Sequence, residues 1–189
     1  MKYSGDYTWL EFVDGNMQLA AGGNNDFLDG SSALASLTGR WNDDIGWWAL
    51  GTMTATEAFG TTGIVASHNI QVGFNPAYIT LANNTFYEIY MNWDSTTCNG
   101  GIFWSRDRTS GSASSKLKST ITNVEEMELA ARLHVVTGGG DYKEKFDLIY
   151  SWLKSSGLIS ADYTVYDSLE IIQCIPSYNE VENCWLHYL

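Results

Sequence analysis

An all-α fold of helical hairpins is the class this sequence predicts, and three observations predict it. Apolar residues recur at helical spacing in five separate segments, and glycine or small polar residues close each one. The regular strand-helix alternation of a nucleotide-binding α/β fold is absent from the pattern. The 189 residues amount to one domain, or to a piece of a larger one, and with 44% hydrophobic against 17% charged residues the chain must fold by burial.

The first segment, Thr8 to Ala21, places Leu10, Val13, Met17 and Ala20 near helical spacing, and Gly22-Gly23-Asn24-Asn25 ends it. A loop is expected from Asp26 to Arg40. Asp44 to Phe59 repeats the pattern with Ile45, Trp48, Ala49, Thr52, Met53, Thr56 and Phe59, and Gly60 is its stop signal. Asn75-Pro76 has the form of an N-cap followed by a first-turn proline, leading into Ile79, Ala82, Phe86, Ile89, Tyr90 and Trp93. Asp94 to Gly101 reads as a turn, and Gly101 to Ser105 with Ile121 as a small β-hairpin. Thr122-Asn123-Val124-Glu125 fits a capping box and predicts a helix to Thr137 before Gly138-Gly139-Gly140. Tyr142, Phe146, Ile149, Tyr150 and Leu153 mark the face of a last helix, stopped at Gly157.

Charge and cysteine content narrow the function classes. Ten Lys plus Arg against 22 Asp plus Glu give a net charge of -12, which repels phosphate backbones and argues against nucleic acid as a partner. No apolar run approaches the roughly 20 residues of a transmembrane segment, and the first residues of this chain carry no signal-peptide pattern. Cys98, Cys174 and Cys184 allow at most one internal bridge, of open pairing, and lack the spacing of a zinc site. His68, His134 and His187 stand alone, so neither a metal nor another cofactor is implied. Aromatic residues reach 14%, which suits cores and the flat apolar faces of sugar rings alike.

Trp41-Asn42-Asp43-Asp44-Ile45-Gly46-Trp47-Trp48 is the sharpest local feature. Two adjacent acids have Cα atoms about 3.8 Å apart, and in a helix their side chains diverge by roughly 100°. Their carboxyls can therefore approach the roughly 5 to 5.5 Å used by retaining glycosidases. Like charges this close separate the two pKa values, the condition for one nucleophile and one acid. The competing reading is structural: Asp43 caps the helix and Asp44 rides in its first turn.

Four motifs in order carry a resemblance: Asn42-Asp43-Asp44-x-Gly46-Trp47-Trp48-Ala49-Leu50, Cys98-x-Gly100-Gly101-Ile102-Phe103-Trp104, Lys118-x-Thr120-Ile121-Thr122-Asn123, and Leu129-Ala130-Ala131-Arg132-Leu133. With Ser155 to Ile159 and Tyr178-Asn179-x-Val181, they resemble glycoside hydrolase family 76, the endo-α-1,6-mannanases and their fungal cell-wall relatives. The resemblance runs from about Gly5 to Val181 and implies a single, partial catalytic domain over 1–181 with an unmatched tail, 182–189. Leu117 and Glu180 depart from the family's pattern.

The resemblance implies an (α/α)6 barrel, here incomplete, with the sugar chain in a groove at one end. It makes Asp43 the nucleophile and Asp44 the general acid/base of a retaining hydrolase. Trp47, Trp48 and Trp104 become sugar-facing candidates, with the core as the competing place for each, and Trp47 stands ahead of Trp48 because Trp48 falls on the apolar stripe. Asn42 becomes a groove candidate, and Asn123 is either a groove residue or simply the start of its helix. The implied substrate is α-mannan or a mannooligosaccharide, and the implied location is secreted or at the cell wall. Two alternatives stand beside hydrolysis: a cell-wall transglycosidase acting on mannose-containing anchor glycans, and a non-catalytic mannan-binding remnant. An open half-barrel also predicts self-association through uncovered helix faces.

Overall fold

The computed structural model describes residues 10–27, 41–61 and 77–177. Among the described residues five α-helices dominate: α1 (Leu10–Ala20), α2 (Asn42–Phe59), α3 (Tyr78–Tyr90), α4 (Thr120–Thr137) and α5 (Tyr142–Ser155). A 3-10 turn (Ala113–Lys116) leads into β1 (Leu117–Ser119), which pairs antiparallel with β2 (Ser168–Glu170), and β2 pairs in turn with β3 (Ile175–Ser177). The register sets Leu117 opposite Glu170 and Glu170 opposite Ile175. Among the described residues no helix is long and apolar enough to cross a membrane.

The helices pack as the apolar stripes require. α2 lies against α3 and α4, and α4 also lies against α5. One core gathers Ile45, Tyr78, Leu81, Ile89, Ile102, Ile149, Trp152 and Leu153, and a second gathers Ala49, Met53, Ala82, Phe86, Leu129 and Leu133. Burying a large apolar side chain of this kind contributes about 1.5 to 3 kcal/mol. Because α2 supplies Ile45 to one core and Ala49 and Met53 to the other, the helix bearing the acid pair is fixed along its length.

Three boundaries differ from expectation, each for a local reason. α4 begins at Thr120, with Ser119 as its N-cap accepting from the Thr122 N–H. The capping box at Thr122 to Glu125 is therefore not formed, because the preceding serine hydroxyl caps the same helix one turn earlier. The hairpin of Gly101 to Ser105 with Ile121 is replaced by isolated bridges, Ile102 to Trp93 and Ser105 to Trp41, while the regular sheet forms between β1, β2 and β3. α3 stops at Tyr90, and Trp93 turns back to pair with Ile102. Asn75-Pro76, His68, His187, Cys184 and the tail 182–189 lie outside the described residues.

One buried knot stiffens the 94–101 turn. Lys118 is fully buried, and its ammonium donates to the carbonyls of Asp94 (2.9 Å), Thr97 (2.7 Å) and Gly100 (2.6 Å) while pairing with the Asp94 carboxylate at 3.1 Å. Hydrogen bonds from Thr96 and Thr97, together with Lys118, hold the Asp94 carboxyl below its ordinary range despite its burial. Cys98 is disulfide-bonded to Cys174, which settles the open pairing and ties this turn to the loop before β3. Gly100 and Gly101 adopt φ of +141° and +99° against the Trp152 indole, where a Cβ on either would collide with the ring.

Candidate active site

The acid pair occupies the first turn of α2, and the N-cap position is Trp41 rather than Asp43, with no side-chain cap. Both acids therefore lie in the first turn of the helix, where N–H groups without helical partners favour negative charge. Asp43 is half-buried and Asp44 exposed. Burial first, and the Asp44 charge second, push Asp43 up to about 6, while the Trp104 indole acts in the opposite direction. Asp44 is also raised, by burial. Two neighbouring carboxyls lose their protons as a coupled pair, and the Trp104 donor on Asp43 alone sets the two apart.

Trp104 is the contact that orients the pair. Its indole Nε1–H donates to Asp43 Oδ1 at 2.8 Å, and its ring stacks on Trp41 with centroids 4.1 Å apart. An indole N–H only donates, so it favours the ionised form of Asp43. The backbone around Trp104 is anchored on every side. Asn42 N–H donates to the Trp104 carbonyl at 2.9 Å, Trp104 N–H donates to the Leu117 carbonyl at 2.9 Å, and Phe103 N–H donates to the Asn92 carbonyl at 3.2 Å.

Asn42 and Asn123 lie inside the protein, both fully buried. The Asn42 amide donates to the Phe103 carbonyl at 2.7 Å, and its oxygen accepts from Asn92 at 3.4 Å. Asn123 accepts from the Ile102 N–H at 2.9 Å and donates to the Ile102 and Ser119 carbonyls at 3.0 and 2.8 Å. Both amides are thus spent on the 102–105 strap that carries Trp104, not on a groove surface. Trp47 and Trp48 are exposed, at 59% and 40%. Trp47 follows Asp43 by four residues and so shares its helix face, whereas Trp48 follows Asp44 and stacks on Phe27 at 5.6 Å.

Two further acids are buried on α4, and one of them meets the helix that bears the pair. Glu125 and Glu126 on α4 are buried, and Glu125 lies against Gly46, where a Cβ would collide with its carboxyl. A signal was present, because both fall on the inward stripe of Thr122, Leu129 and Leu133, where charge is rare.

Residues 1–184 match Glycosyl hydrolase family 76. A putative mannan endo-1,6-alpha-mannosidase of Schizosaccharomyces pombe is 29% identical over 168 residues, covering 89% of this chain and 35% of that protein. The mannan endo-1,6-alpha-mannosidase DFG5 of Saccharomyces cerevisiae is 25% identical, covering 95% of this chain and 37% of its own. The crystal structure of Dfg5 from Chaetomium thermophilum in complex with glucosamine matches with a TM-score of 0.75 at 27% identity, over 90% of this chain and 39% of that one. An inactive variant of an α-1,6-mannanase from Salegentibacter sp., in complex with α-1,6-mannotriose, shares the fold with a TM-score of 0.58 at 18% identity, over 88% and 40% of the two chains. These neighbours are (α/α)6 barrels, so the hairpins of this chain are part of that architecture. The chain spans little more than a third of the length of these relatives.

Proposed function

The chain belongs to Glycosyl hydrolase family 76, and on that premise we propose that it bears the reacting carboxylates of a retaining glycoside hydrolase acting on internal α-1,6-mannosidic bonds. The observation that carries the proposal is the Asp43–Asp44 pair, with Asp43 held by the Trp104 indole and Asp44 open to solvent. In the first step the Asp43 carboxylate bonds to the anomeric carbon of mannose as the bond to the leaving oxygen breaks, and Asp44 gives that oxygen its proton. In the second, Asp44 takes a proton from water or a sugar hydroxyl, whose oxygen displaces Asp43 and restores the enzyme. An exposed Asp44 admits either acceptor. Trp47, beside Asp43 on the same face, is the aromatic surface best placed for a mannose ring, with Trp48 next along the helix.

The substrate is α-mannan or a mannooligosaccharide, which is uncharged, so an acidic protein meets no repulsion in binding it. A location outside the cytosol, at the cell surface or wall, follows from the same reading. The Cys98–Cys174 bridge supports it, since disulfides persist in oxidising compartments.

Thermal unfolding with and without α-1,6-mannotriose tests the proposal. Ligand at a hundred times its Kd should stabilise the protein by about 2.7 kcal/mol and raise the midpoint, whereas α-1,4-glucotriose should not. An unmoved midpoint at saturating mannotriose would sink it.

Trp104→Phe separates orientation from packing. The phenyl ring keeps the Trp41 stack but removes the N–H, so kcat/KM on an α-1,6-mannooligosaccharide should fall about tenfold, in line with one lost charge-assisted hydrogen bond. Losing a donor to the ionised form raises the pKa of Asp43 further. The acid limb of the profile should therefore move to higher pH, with the largest deficit below about pH 6. An unmoved limb would show that Trp104 does not set the charge of Asp43.

A further inference from the structure

Glu125 and Glu126 have no part in the two steps above, yet both are buried on α4, and Glu125 lies against the helix that bears the pair. They are 4% and 0% exposed, and none of their four carboxyl oxygens meets a hydrogen-bond donor among the described residues. Burying an ionised carboxyl that meets no hydrogen-bond donor is prohibitively unfavourable, so both fold as neutral acids. The surroundings reinforce this. Burial pushes Glu125 up to about 9, with Asp43 and Asp44 across the seam on α2 and Glu128 on its own helix adding to the rise. Burial and Glu125 raise Glu126 well above the carboxyl range, and Lys145 on α5 opposes them; Tyr90 on α3 also lies within its field.

The geometry distinguishes the two. Glu125 lies on the backbone of α2 at Gly46, where any side chain would strike its Oε2. Gly46 is only two residues beyond Asp44, so the acid sits where the turn bearing the reacting pair meets α4. Glu126, about 100° further around α4, is directed toward α3 and α5 instead.

We propose that Glu125 is a positioning residue for the Asp43–Asp44 turn: as a neutral acid lying on Gly46 it seats the first turn of α2 against α4, and loss of its proton forces that seam open to water. The seat is then a pH-sensitive joint, closed in acid and opening toward alkali.

The sign follows from linkage. A carboxyl whose folded pKa lies above its unfolded one contributes stability that is complete below the unfolded value, near 4.5, and is lost as pH rises toward the folded value, near 9. In that window each such proton lowers the folding equilibrium constant by close to tenfold per pH unit.

Chemical denaturation of the whole chain, wild type, Glu125→Gln and Glu126→Gln, at steps between about pH 5 and pH 8 reads this directly. The ratio of the Glu125→Gln folding constant to that of wild type should climb by close to tenfold per pH unit. Amide hydrogen exchange compared at equal pH should show residues 43–48 increasingly better protected in Glu125→Gln than in wild type. Glu126→Gln should show a similar stability ratio without the gain at 43–48. Parallel stability curves for Glu125→Gln and wild type would overturn the proposal, because Glu125 would then be ionised in the fold. A stability gain with no local change at 43–48 would overturn it too, leaving only a buried acid. Should the glutamine variant not fold, Glu125→Met supports the same comparisons. None of these readouts needs turnover, so their failure leaves the mannosidase reading standing, and the reverse holds.

Discussion

Asp43→Asn is expected to lower turnover of α-1,6-mannooligosaccharides by on the order of 10^4-fold or more, while the thermal midpoint at pH 7 stays equal to or above that of wild type. The two halves have one origin. An amide cannot form the ester bond to the anomeric carbon, so the first step is lost. The same amide can still present its oxygen to the Trp104 N–H, so the 2.8 Å contact and the Trp41 stack need not change. The folded pKa of Asp43 is raised, so its ionisation costs stability as pH climbs through about 6, and asparagine removes that cost.

Asp44→Asn supplies the complementary result. Without its proton donor, a natural mannoside should be cleaved poorly, yet an aryl mannoside whose leaving group needs no protonation should still form the intermediate at Asp43. Asp43→Asn should be inactive on both. Equal activity of Asp43→Asn and wild type would leave the acids as helix-end residues and remove the catalytic assignment.

How much of this site was legible in the sequence depends on whether its contacts are local. The acid pair and its two exposed tryptophans lie within six residues on one helix, and the helix period alone places Trp47 with Asp43 and Trp48 with Asp44. The ends of α4 and α5 were equally legible, because Gly138 and Gly157, with φ of +65° and +82°, are local stop signals. The role of Trp104 was not, since its indole meets an acid 61 residues away. For the same reason Asn42 and Asn123 read as groove candidates. An asparagine looks alike whether it faces a sugar or a distant backbone, and only the strap at Ile102 and Phe103 shows which. Glu125 was misplaced because a capping rule and a burial pattern competed for it, and Ser119 had already satisfied the cap.

The Cys98→Ser, Cys174→Ser double variant should lose about 4 kcal/mol of stability, the largest single loss expected in the fold. The bridge closes a loop with a sequence separation of 76, and in chain-entropy terms a loop of that size restricts the unfolded chain by about this amount. The consequence for the site is indirect and can be checked separately. Lys118 still gathers the carbonyls of Asp94, Thr97 and Gly100, and the Trp152 indole N–H still donates to the Cys98 carbonyl at 3.0 Å. The turn therefore keeps its native shape without the bridge, and so does the Ile102-to-Trp104 strap that begins where it ends. Well below its lowered midpoint, the variant should bind mannotriose as tightly as wild type. A midpoint unchanged from wild type would mean that the bridge does not form in the protein. Lost binding at a temperature where the variant is still folded would mean that the bridge, rather than Lys118, holds the strap under Trp104.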